Sequence, residues 1–334
     1  MKVLPKVPSD FLGIYIPTYN RKPYLEECLN SFIPQVKPYG FPIFISDNGS
    51  SDGTEAMVKK LKRSYPRIFY KNNGKNLGYG QNLINVLRMG DTKYTLIFGD
   101  DDVIKKRAID IIIKNLNEGY DYLLLNQSEY DKNLTSEINH KLIKMDKDII
   151  YAEGEHEKVI FTKSKFSHVG IGNIAEIITK KEFLNYQLDK ANLKDMPLDY
   201  LQILLFYRSI VNKKGKFIST PLINGRASNT STSFSNRYLD LLFVSYPKAL
   251  ETLMPYYSSK VLKEAQKIPI KSLVALTNAQ RNNAPHKRSL YIRYIIKSDI
   301  GLMHKFVALS VLMLPKPIVD FTIAVFKHAN ELVA

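Results

Sequence analysis

The chain has 334 residues, 45% of them hydrophobic, and a formal net charge of +16. This size allows a sizeable core and excludes a minimal domain. A single cysteine, Cys28, excludes an intramolecular disulfide, and the polar start from Met1 to Asp10 lacks the apolar run of a secretory signal. We therefore expect a cytoplasmic protein with a buried thiol, whose charge suits nucleic acid, an anionic membrane or small phosphorylated ligands.

The first 125 residues alternate short β-rich runs with longer stretches of helical periodicity, which is typical of βαβ units and a mostly parallel sheet. Ligands of a doubly wound sheet bind beyond the carboxyl ends of its strands, so the residues that follow each strand are the candidates for a site. The predicted strands are 12–16, 42–46, 68–70, 94–98 and 122–125, and the predicted helices are 23–32, 54–61, 80–89 and 104–116.

Polar and aromatic side chains follow the first three predicted strands. The first strand ends in Pro17, Thr18, Tyr19 and Asn20, where a ring is available to stack on a base. After the second strand, Asp47 is an acceptor for a nucleobase or ribose, whereas Asp52 and Thr54 fit a turn followed by a helix start. A loop containing Asn76 and Gly78 follows the third strand, and its glycines allow close approach of backbone to a ligand.

The acidic run Asp100-Asp101-Asp102 is the clearest candidate for a functional site, and it directly follows the fourth predicted strand. In an extended chain Asp100 and Asp102 point the same way and Asp101 points oppositely. Such a pair of carboxylates suits a hard divalent cation, Mg²⁺ or Mn²⁺, with phosphates and water completing its coordination. The structural alternative is a solvated acidic turn that caps the following helix.

The middle and the end of the chain carry weaker patterns. Residues 173–179 are predicted as a strand, 198–209 as a helix, and 221–235 as a polar loop or flap. In the basic C-terminal third, 306–314 and 318–326 are apolar stretches broken by a Pro-Lys-Pro run, and both are too short to span a bilayer. With Lys and His residues nearby, these stretches suit the interface of an anionic membrane, and the alternative is ordinary packing on the main domain.

The ordered motifs at 17–20, 47–54, 76–78 and 100–102 together resemble the family 2 glycosyltransferases of the GT-A fold. Later segments resemble bacterial enzymes that build O-antigen or capsular polysaccharide, abequosyltransferase-like proteins among them. The resemblance implies an α/β fold with a GT-A-type doubly wound, mostly parallel sheet flanked by helices, and a helical C-terminal extension. We expect a catalytic domain over 1–235, with a nucleotide-sugar-binding half (1–125) and an acceptor half (126–235), followed by a basic region that associates with membrane (236–334).

The resemblance also implies a reaction and roles for residues. A hexosyl or deoxyhexosyl unit is expected to pass, with inversion, from a nucleotide-diphosphate sugar to a glycan or an undecaprenyl-type lipid-linked acceptor. The reaction would belong to bacterial surface polysaccharide synthesis at the inner face of the membrane. Asp47 contacts the nucleobase, Asp100 lies near the nucleoside, and Asp102 is the main ligand of Mn²⁺ or Mg²⁺. The family's usual Glu-Asp motif is absent, so Asp199 is taken as the catalytic base, with Asp195 and His168 in reserve. Arg226 is expected to close over the phosphates from the polar loop.

Two other functions remain open at this point. A nucleotidyltransferase also uses acidic metal ligands on such a sheet, but Pro17 to Arg21 does not match its glycine-rich loop. A basic nucleic-acid-binding module would explain the charge, but no helix-turn-helix, zinc or aromatic RNA-binding motif is found, and the clustered acids disfavour it. We therefore expect no nucleic-acid partner.

Overall fold

The structure, a computed structural model, describes residues 6–164, 177–190, 198–227, 240–241, 245–265, 288–297, 302–315 and 317–319. Within these residues the chain has an α/β fold built on a single mixed sheet of ten strands. The strands are β1 (Leu12–Thr18), β2 (Ile43–Asp47), β3 (Ile68–Asn72), β4 (Tyr94–Ile97), β5 (Val103–Ile104), β6 (Tyr122–Tyr130), β7 (Glu137–Asn139), β8 (Ile149–Tyr151), β9 (Ile177–Lys180) and β10 (Gly215–Arg226).

The first half of the sheet is parallel, as the sequence predicts. Strands β3, β2, β1 and β4 lie side by side in that order, with all their pairings parallel. Every residue of β1 and β2 is buried, because helices cover both faces of this half. The carboxyl ends of the four strands therefore meet at one edge of the sheet.

The second half of the sheet is mixed, so the mostly parallel arrangement that the sequence predicts holds for the first four strands. Strand β9 lies between β4 and β6 and is antiparallel to both. Beyond it, β6 pairs in parallel with β10, which is antiparallel to β5 and β8, and β7 pairs with the end of β6.

The predicted polar loop and the predicted start of the fourth helix differ from the structure. Residues 221–226, predicted as part of a polar loop, are the end of β10, because Leu222 and Ile223 are buried there and Ile223 pairs with Ile104. The same pairing places Val103–Ile104 in β5, so the helix that was predicted from 104 begins at Ala108. The rest of the predicted loop, 228–235, lies outside the described residues.

The helices flank the sheet and continue beyond it. The first, α1, begins with a proline in its first turn, where the missing N–H costs no hydrogen bond. A short 3₁₀ helix, Leu198–Tyr200, precedes α7. The helices are α1 (Lys22–Val36), α2 (Thr54–Ser64), α3 (Tyr79–Leu87), α4 (Ala108–Leu116), α5 (Glu157–Ser164), α6 (Lys181–Lys190), α7 (Leu201–Ser209), α8 (Tyr246–Glu251), α9 (Ser259–Ala265), α10 (Arg288–Lys297) and α11 (Leu302–Met313).

Three clusters of buried side chains form the core. One lies between the parallel strands and α1, α2 and α4, and includes the predicted buried thiol of Cys28. A second lies on the opposite face against α3, α6 and α7. The third packs β6 and β10 against α5 and α7 to α9. In the described part of the chain, every helix is too short or too polar to cross a bilayer.

Candidate active site

The acidic run lies in a turn beyond the carboxyl end of β4. The strand ends at Ile97 and the backbone turns at Asp100 and Asp101. The predicted alternation, with Asp101 pointing away, is therefore wrong, because the chain is not extended here. Instead both carboxylates converge on Arg21 Nη1, at 3.2 Å from Asp100 Oδ1 and 2.7 Å from Asp101 Oδ2.

Asp100 is the buried member of this acidic turn. Its Oδ2 accepts a 2.7 Å hydrogen bond from the Thr18 hydroxyl, and its side chain is 9% exposed. Burial and the neighbouring charge of Asp101 raise the pKa of Asp100 to about 6, against the opposing influence of Arg21 and Thr18. The end of β1 and the acidic turn are thus joined through the Asp100 carboxylate.

Asp102 lies at the half-buried rim of the turn and contacts the end of β10. Its Oδ1 accepts the backbone N–H of Arg226 at 3.1 Å. The Arg226 Nε donates to the Asp101 carbonyl at 2.6 Å, and Nη1 donates to the Lys132 carbonyl at 2.8 Å. Two adjacent residues of the turn are therefore held by one residue of a different strand.

The placement of Arg226 differs from the loop that the sequence predicts. Its side chain is 2% exposed, its guanidinium forms an ion pair with Glu27, and it lies 5.0 Å from the centre of the Tyr24 ring. A strand residue with this many internal contacts positions the turn, α1 and the hairpin between β6 and β7. Its predicted contact with the donor phosphates stays a prediction, and it would require some of these bonds to break.

The residues after β1 are locked to the loop after β2. Asn20 has a positive φ of 51°, which Asn tolerates better than most residues. Its N–H donates to Ser50 Oγ, and its Oδ1 accepts the N–H of Ser51. These bonds leave the neighbouring Tyr19 side chain 42% exposed at the sheet edge. Pro17 lies in β1 itself, paired with Ser46.

Asp52 has the structural role that its position after β2 predicts. Its carboxylate accepts the Thr54 N–H and hydroxyl at the start of α2, and the Lys22 N–H at the start of α1. One carboxylate therefore accepts the first backbone N–H of two helices that begin beside each other.

Asp47 is fully buried at the end of β2. Its Oδ1 accepts the Ser50 N–H at 2.9 Å, and its Oδ2 accepts the Tyr70 hydroxyl at 2.5 Å. Burial and this carboxylate raise the pKa of Tyr70, which keeps the phenol protonated as the donor. Both oxygens are engaged within the protein, so the predicted nucleobase contact would have to share them.

A network of amides holds the loop after β3 against the loop after β2. The Asn48 Nδ2 donates to Asn76 Oδ1 at 2.7 Å, and the same oxygen accepts the Gly78 N–H at 2.9 Å. Gly49 makes the contact possible, because any Cβ there would come within 2.8 Å of the Lys75 backbone. Its φ of 81° also favours glycine. Asn76 and Gly78 thus lie at the same edge as Asp47.

The segment that carries Asp199 packs tightly against the first turn of α3. Gly80, in the first turn of α3, leaves room for the Leu198 carbonyl, which a Cβ would approach to 2.5 Å. Asp199 follows in the 3₁₀ helix, and its Oδ2 accepts the Ser245 hydroxyl at 3.0 Å. The predicted base therefore lies beside the loop that carries Gly78. The reserve candidates, Asp195 and His168, lie outside the described residues.

The carboxylates of the turn fit a divalent cation that is shared with a ligand. Among the described residues, no three His, Cys, Asp or Glu side chains converge as a protein-only metal cage requires. Mg²⁺ and Mn²⁺ sites often use one or two carboxylates and complete their coordination with phosphate and water. Asp102 at the rim suits that role, whereas both Asp100 oxygens accept bonds from Thr18 and Arg21.

Arg21 is the residue that sequence reasoning missed. Its side chain is 20% exposed and pairs with two carboxylates. Its position directly after β1 could have identified it, because a residue there lies at the same sheet edge as the carboxylates that follow β4. Cys28 lies behind the same turn, where burial and the three aspartates raise the pKa of its thiol.

Comparison with known proteins finds glycosyltransferases that are similar to this chain. Residues 13–175 match the family model described as glycosyl transferase family 2. Abequosyltransferase RfbV of Salmonella typhimurium is 29% identical over 265 residues, which cover 76% of this chain and 78% of that protein. The Campylobacter jejuni GalNAc(5)-diNAcBac-PP-undecaprenol beta-1,3-glucosyltransferase is 29% identical over 158 residues, covering 47% and 48%.

Solved structures share the fold at low sequence identity. The crystal structure of S. aureus TarS 1-349 superposes with a TM-score of 0.56 and 15% identity, covering 93% of this chain and 82% of that one. The mannosyltransferase PcManGT from Pyrobaculum calidifontis, solved with GDP-Man and Mn²⁺, gives a TM-score of 0.50 and 13% identity, covering 97% and 87%. These likenesses confirm the predicted GT-A type of α/β fold.

Proposed function

We propose that the chain is a glycosyltransferase, since residues 13–175 match the family 2 model, and that its donor is a nucleotide-diphosphate sugar. The acceptor is a glycan or an undecaprenyl-type lipid-linked oligosaccharide, and the reaction belongs to bacterial surface polysaccharide synthesis. The similarity to the abequosyltransferase and to the undecaprenol-linked glucosyltransferase supports this choice of acceptor.

The acidic turn at the carboxyl edge of the parallel strands is the observation that supports donor binding most strongly. It lies beside the ends of β1 and β2, where Tyr19 is exposed for stacking on a base. The buried Asp47 would contact the base by sharing the oxygens that Ser50 and Tyr70 already engage. A bound Mn²⁺ or Mg²⁺, held chiefly by Asp102 with Asp100 beside it, would neutralise the donor diphosphate and stabilise it as a leaving group.

The role of general base, which activates the acceptor hydroxyl, is assigned to Asp199. Its carboxylate is proposed to take the proton of the acceptor hydroxyl while that oxygen attacks the anomeric carbon, which inverts the configuration. Support comes from the contact between Leu198 and Gly80, which brings this segment to the edge that carries Asn76 and Gly78. Asp195 and His168 remain the alternatives for this role.

The enzyme is proposed to work in the cytoplasm at the inner face of the membrane, where a lipid-linked acceptor would be presented. The relatives and structures described above with a stated activity transfer sugars, which favours a glycosyltransferase over a nucleotidyltransferase or a nucleic-acid-binding module.

A thermal-shift screen of nucleotide sugars, with and without Mn²⁺, tests the donor assignment. A ligand that binds the folded state raises its melting temperature by mass action, so the correct donor should stabilise the chain most strongly with Mn²⁺. Asp102→Ala should lose the Mn²⁺-dependent part of the shift and all transfer, while its melting temperature without ligand stays near that of the unsubstituted chain.

Asp146→Ala is the matched control, because this carboxylate is 95% exposed and lies outside the acidic turn. It should keep both the shift and the transfer. Full transfer by Asp102→Ala in the presence of EDTA would exclude the proposed metal site.

A further inference from the structure

Helices α10 and α11 pack on each other, and α11 has apolar side chains on two sides. Its inner side is buried, with Ala308 and Leu312 fully inaccessible, and Tyr291 and Ile295 are the corresponding buried residues of α10. A helix with apolar side chains on two sides needs a second apolar environment besides the core.

The outer side of α11 is a stripe of large apolar side chains, which we call the α11 stripe: Leu302, Phe306 and Met313, with Met303 beside them. Phe306 follows Leu302 by four residues, and Met313 follows Phe306 by seven, so the three side chains share one face of the helix. Leu302 is 86% exposed, Phe306 68% and Met313 61%. Contiguous exposed apolar surface of this kind marks an interaction site, whereas single exposed apolar residues are ordinary.

Positive charge flanks the α11 stripe at both ends. Lys305 lies next to Phe306, and its Nζ donates to the Ile296 carbonyl at the end of α10. Arg288 lies at the other end, where its Nη2 donates to the Met313 carbonyl at 2.9 Å. Neither helix contains an Asp or Glu, and residues 236–334 have 14 basic residues against 6 acidic ones.

We propose that the α11 stripe inserts into the interface of a bilayer rich in anionic lipid, with Arg288 and Lys305 against the headgroups. An apolar helix face flanked by cations is the arrangement of interfacial helices, whose binding combines apolar burial with attraction to anionic lipid. The helix is too short to cross the bilayer and therefore lies along its surface. This inference rests on the proposed function only for its lipid-linked acceptor.

Flotation with two kinds of vesicle tests the proposal on the full-length chain. Vesicles of phosphatidylcholine alone should bind weakly, and equimolar phosphatidylcholine and phosphatidylglycerol should bind strongly, with partial release by salt. Leu302→Ser/Phe306→Ser should lower the partition coefficient about tenfold or more, because two exposed apolar side chains are lost from the interface.

Tyr186→Ser/Met254→Ser is the matched control, because these side chains are 59% and 61% exposed but lie on other elements. It should float as the unsubstituted chain does. The Arg293→Glu variant, altered at an exposed position of α10, should weaken binding to anionic vesicles, whereas Lys60→Glu on α2 should have a smaller effect.

Three results would overturn the proposal: no flotation on anionic vesicles, equal flotation of Leu302→Ser/Phe306→Ser and its control, or a dimer that this variant converts to a monomer. The last result would make the stripe a contact between two copies. Donor binding is measured separately by the UDP- or GDP-dependent thermal shift with Mn²⁺, so failure of the membrane proposal is distinguishable from failure of the proposed function.

Discussion

At the scale of single residues, the charge of Asp100 controls how the acidic turn is held. Ionised Asp100 pairs with Arg21, and the pKa of about 6 means that this pair is lost as the pH falls through that value. Transfer is therefore expected to decrease on the acid side with an apparent pKa near 6. The Arg21→Met variant should shift this limb to higher pH, because the guanidinium lowers the pKa of Asp100.

The measurement is kcat/KM for the donor in both proteins between about pH 5 and pH 8, since this ratio reports groups of the free enzyme. Lys22→Met, at the neighbouring position, is the control and should leave the limb in place. An acid limb at the same pH in Arg21→Met would show that this ion pair does not govern the titration.

The same titration predicts a stability effect of known sign. The pKa of folded Asp100 lies above its ordinary value of 3.8, so the folded state binds more protons between about pH 4 and pH 6. The free energy of unfolding should therefore decrease across that window as the pH rises, relative to Asp100→Asn. Urea denaturation of both proteins checks this, and a difference that stays constant with pH would contradict it.

Asp199 is the residue whose chemical role is most directly testable. Loss of a general base typically slows a reaction by about 10²- to 10⁴-fold. Asp199→Asn should lower kcat to that extent while leaving donor binding, measured by thermal shift, unchanged. If Asp195→Asn has this effect and Asp199→Asn does not, the base has been assigned to the wrong residue.

At the scale of elements, the contact between α3 and the 3₁₀ helix positions Asp199. A Cβ on Gly80 would lie 2.5 Å from the Leu198 carbonyl and 2.6 Å from the Leu198 Cβ, so Gly80→Ala must move one backbone away from the other. We expect a loss of about 1–3 kcal/mol in the free energy of unfolding. Turnover should fall more than donor affinity, because the displaced segment carries the base.

Chemical denaturation and a comparison of kcat with donor KM measure these two effects. The control is Gln81→Ala, which changes the same turn of α3 without placing new atoms against Leu198. Normal turnover in Gly80→Ala would show that the position of Asp199 is not set by this contact.

The elements also show what the sequence was able to predict. The strands β1 to β4 and the helices between them follow from buried runs and helical periodicity, and their ends give the positions of Thr18, Asp47 and Asp100. Strands of two or three residues, such as β5 and β8, carry no pattern. Their existence depends on partners distant in sequence, as Ile104 depends on Ile223.

The candidate site also has a part that the sequence predicts and a part that it does not. Polar side chains that follow a strand were predictable, whereas contacts between distant segments were not. The approach of Leu198 to Gly80 and the bonds from Arg226 to the acidic turn depend on packing across more than a hundred residues. The loop composition after Pro221 was misleading, because pairing with β5 and β6 outweighs local preference there.

At the scale of the whole molecule, Lys181 joins the two halves of the sheet. It is 1% exposed, its ammonium donates to the Leu87 carbonyl at the end of α3, and it lies 5.0 Å from the centre of the Tyr15 ring. Burial lowers its pKa from 10.5 to about 8, and the charge of Asp91 opposes this. The unfolded chain therefore binds more protons between these two values.

The free energy of unfolding should increase with pH across that window, relative to Lys181→Met, which lacks the titrating group. Urea denaturation of both proteins across this window measures the difference, with Lys190→Met as an exposed control that should show little change. A difference independent of pH would mean that Lys181 is not held in the buried environment described.

The order of the strands in the sheet has a consequence for folding during synthesis. Strands β4 and β6 are near in sequence but do not pair, because β9, which comes from residues 177–180, lies between them. During synthesis the parallel half can form first, while β4 and β6 each keep an open edge until β9 leaves the ribosome. Open strand edges are templates for intermolecular pairing. A nascent chain that stalls before residue 177 is therefore the species most exposed to aggregation and to capture by chaperones.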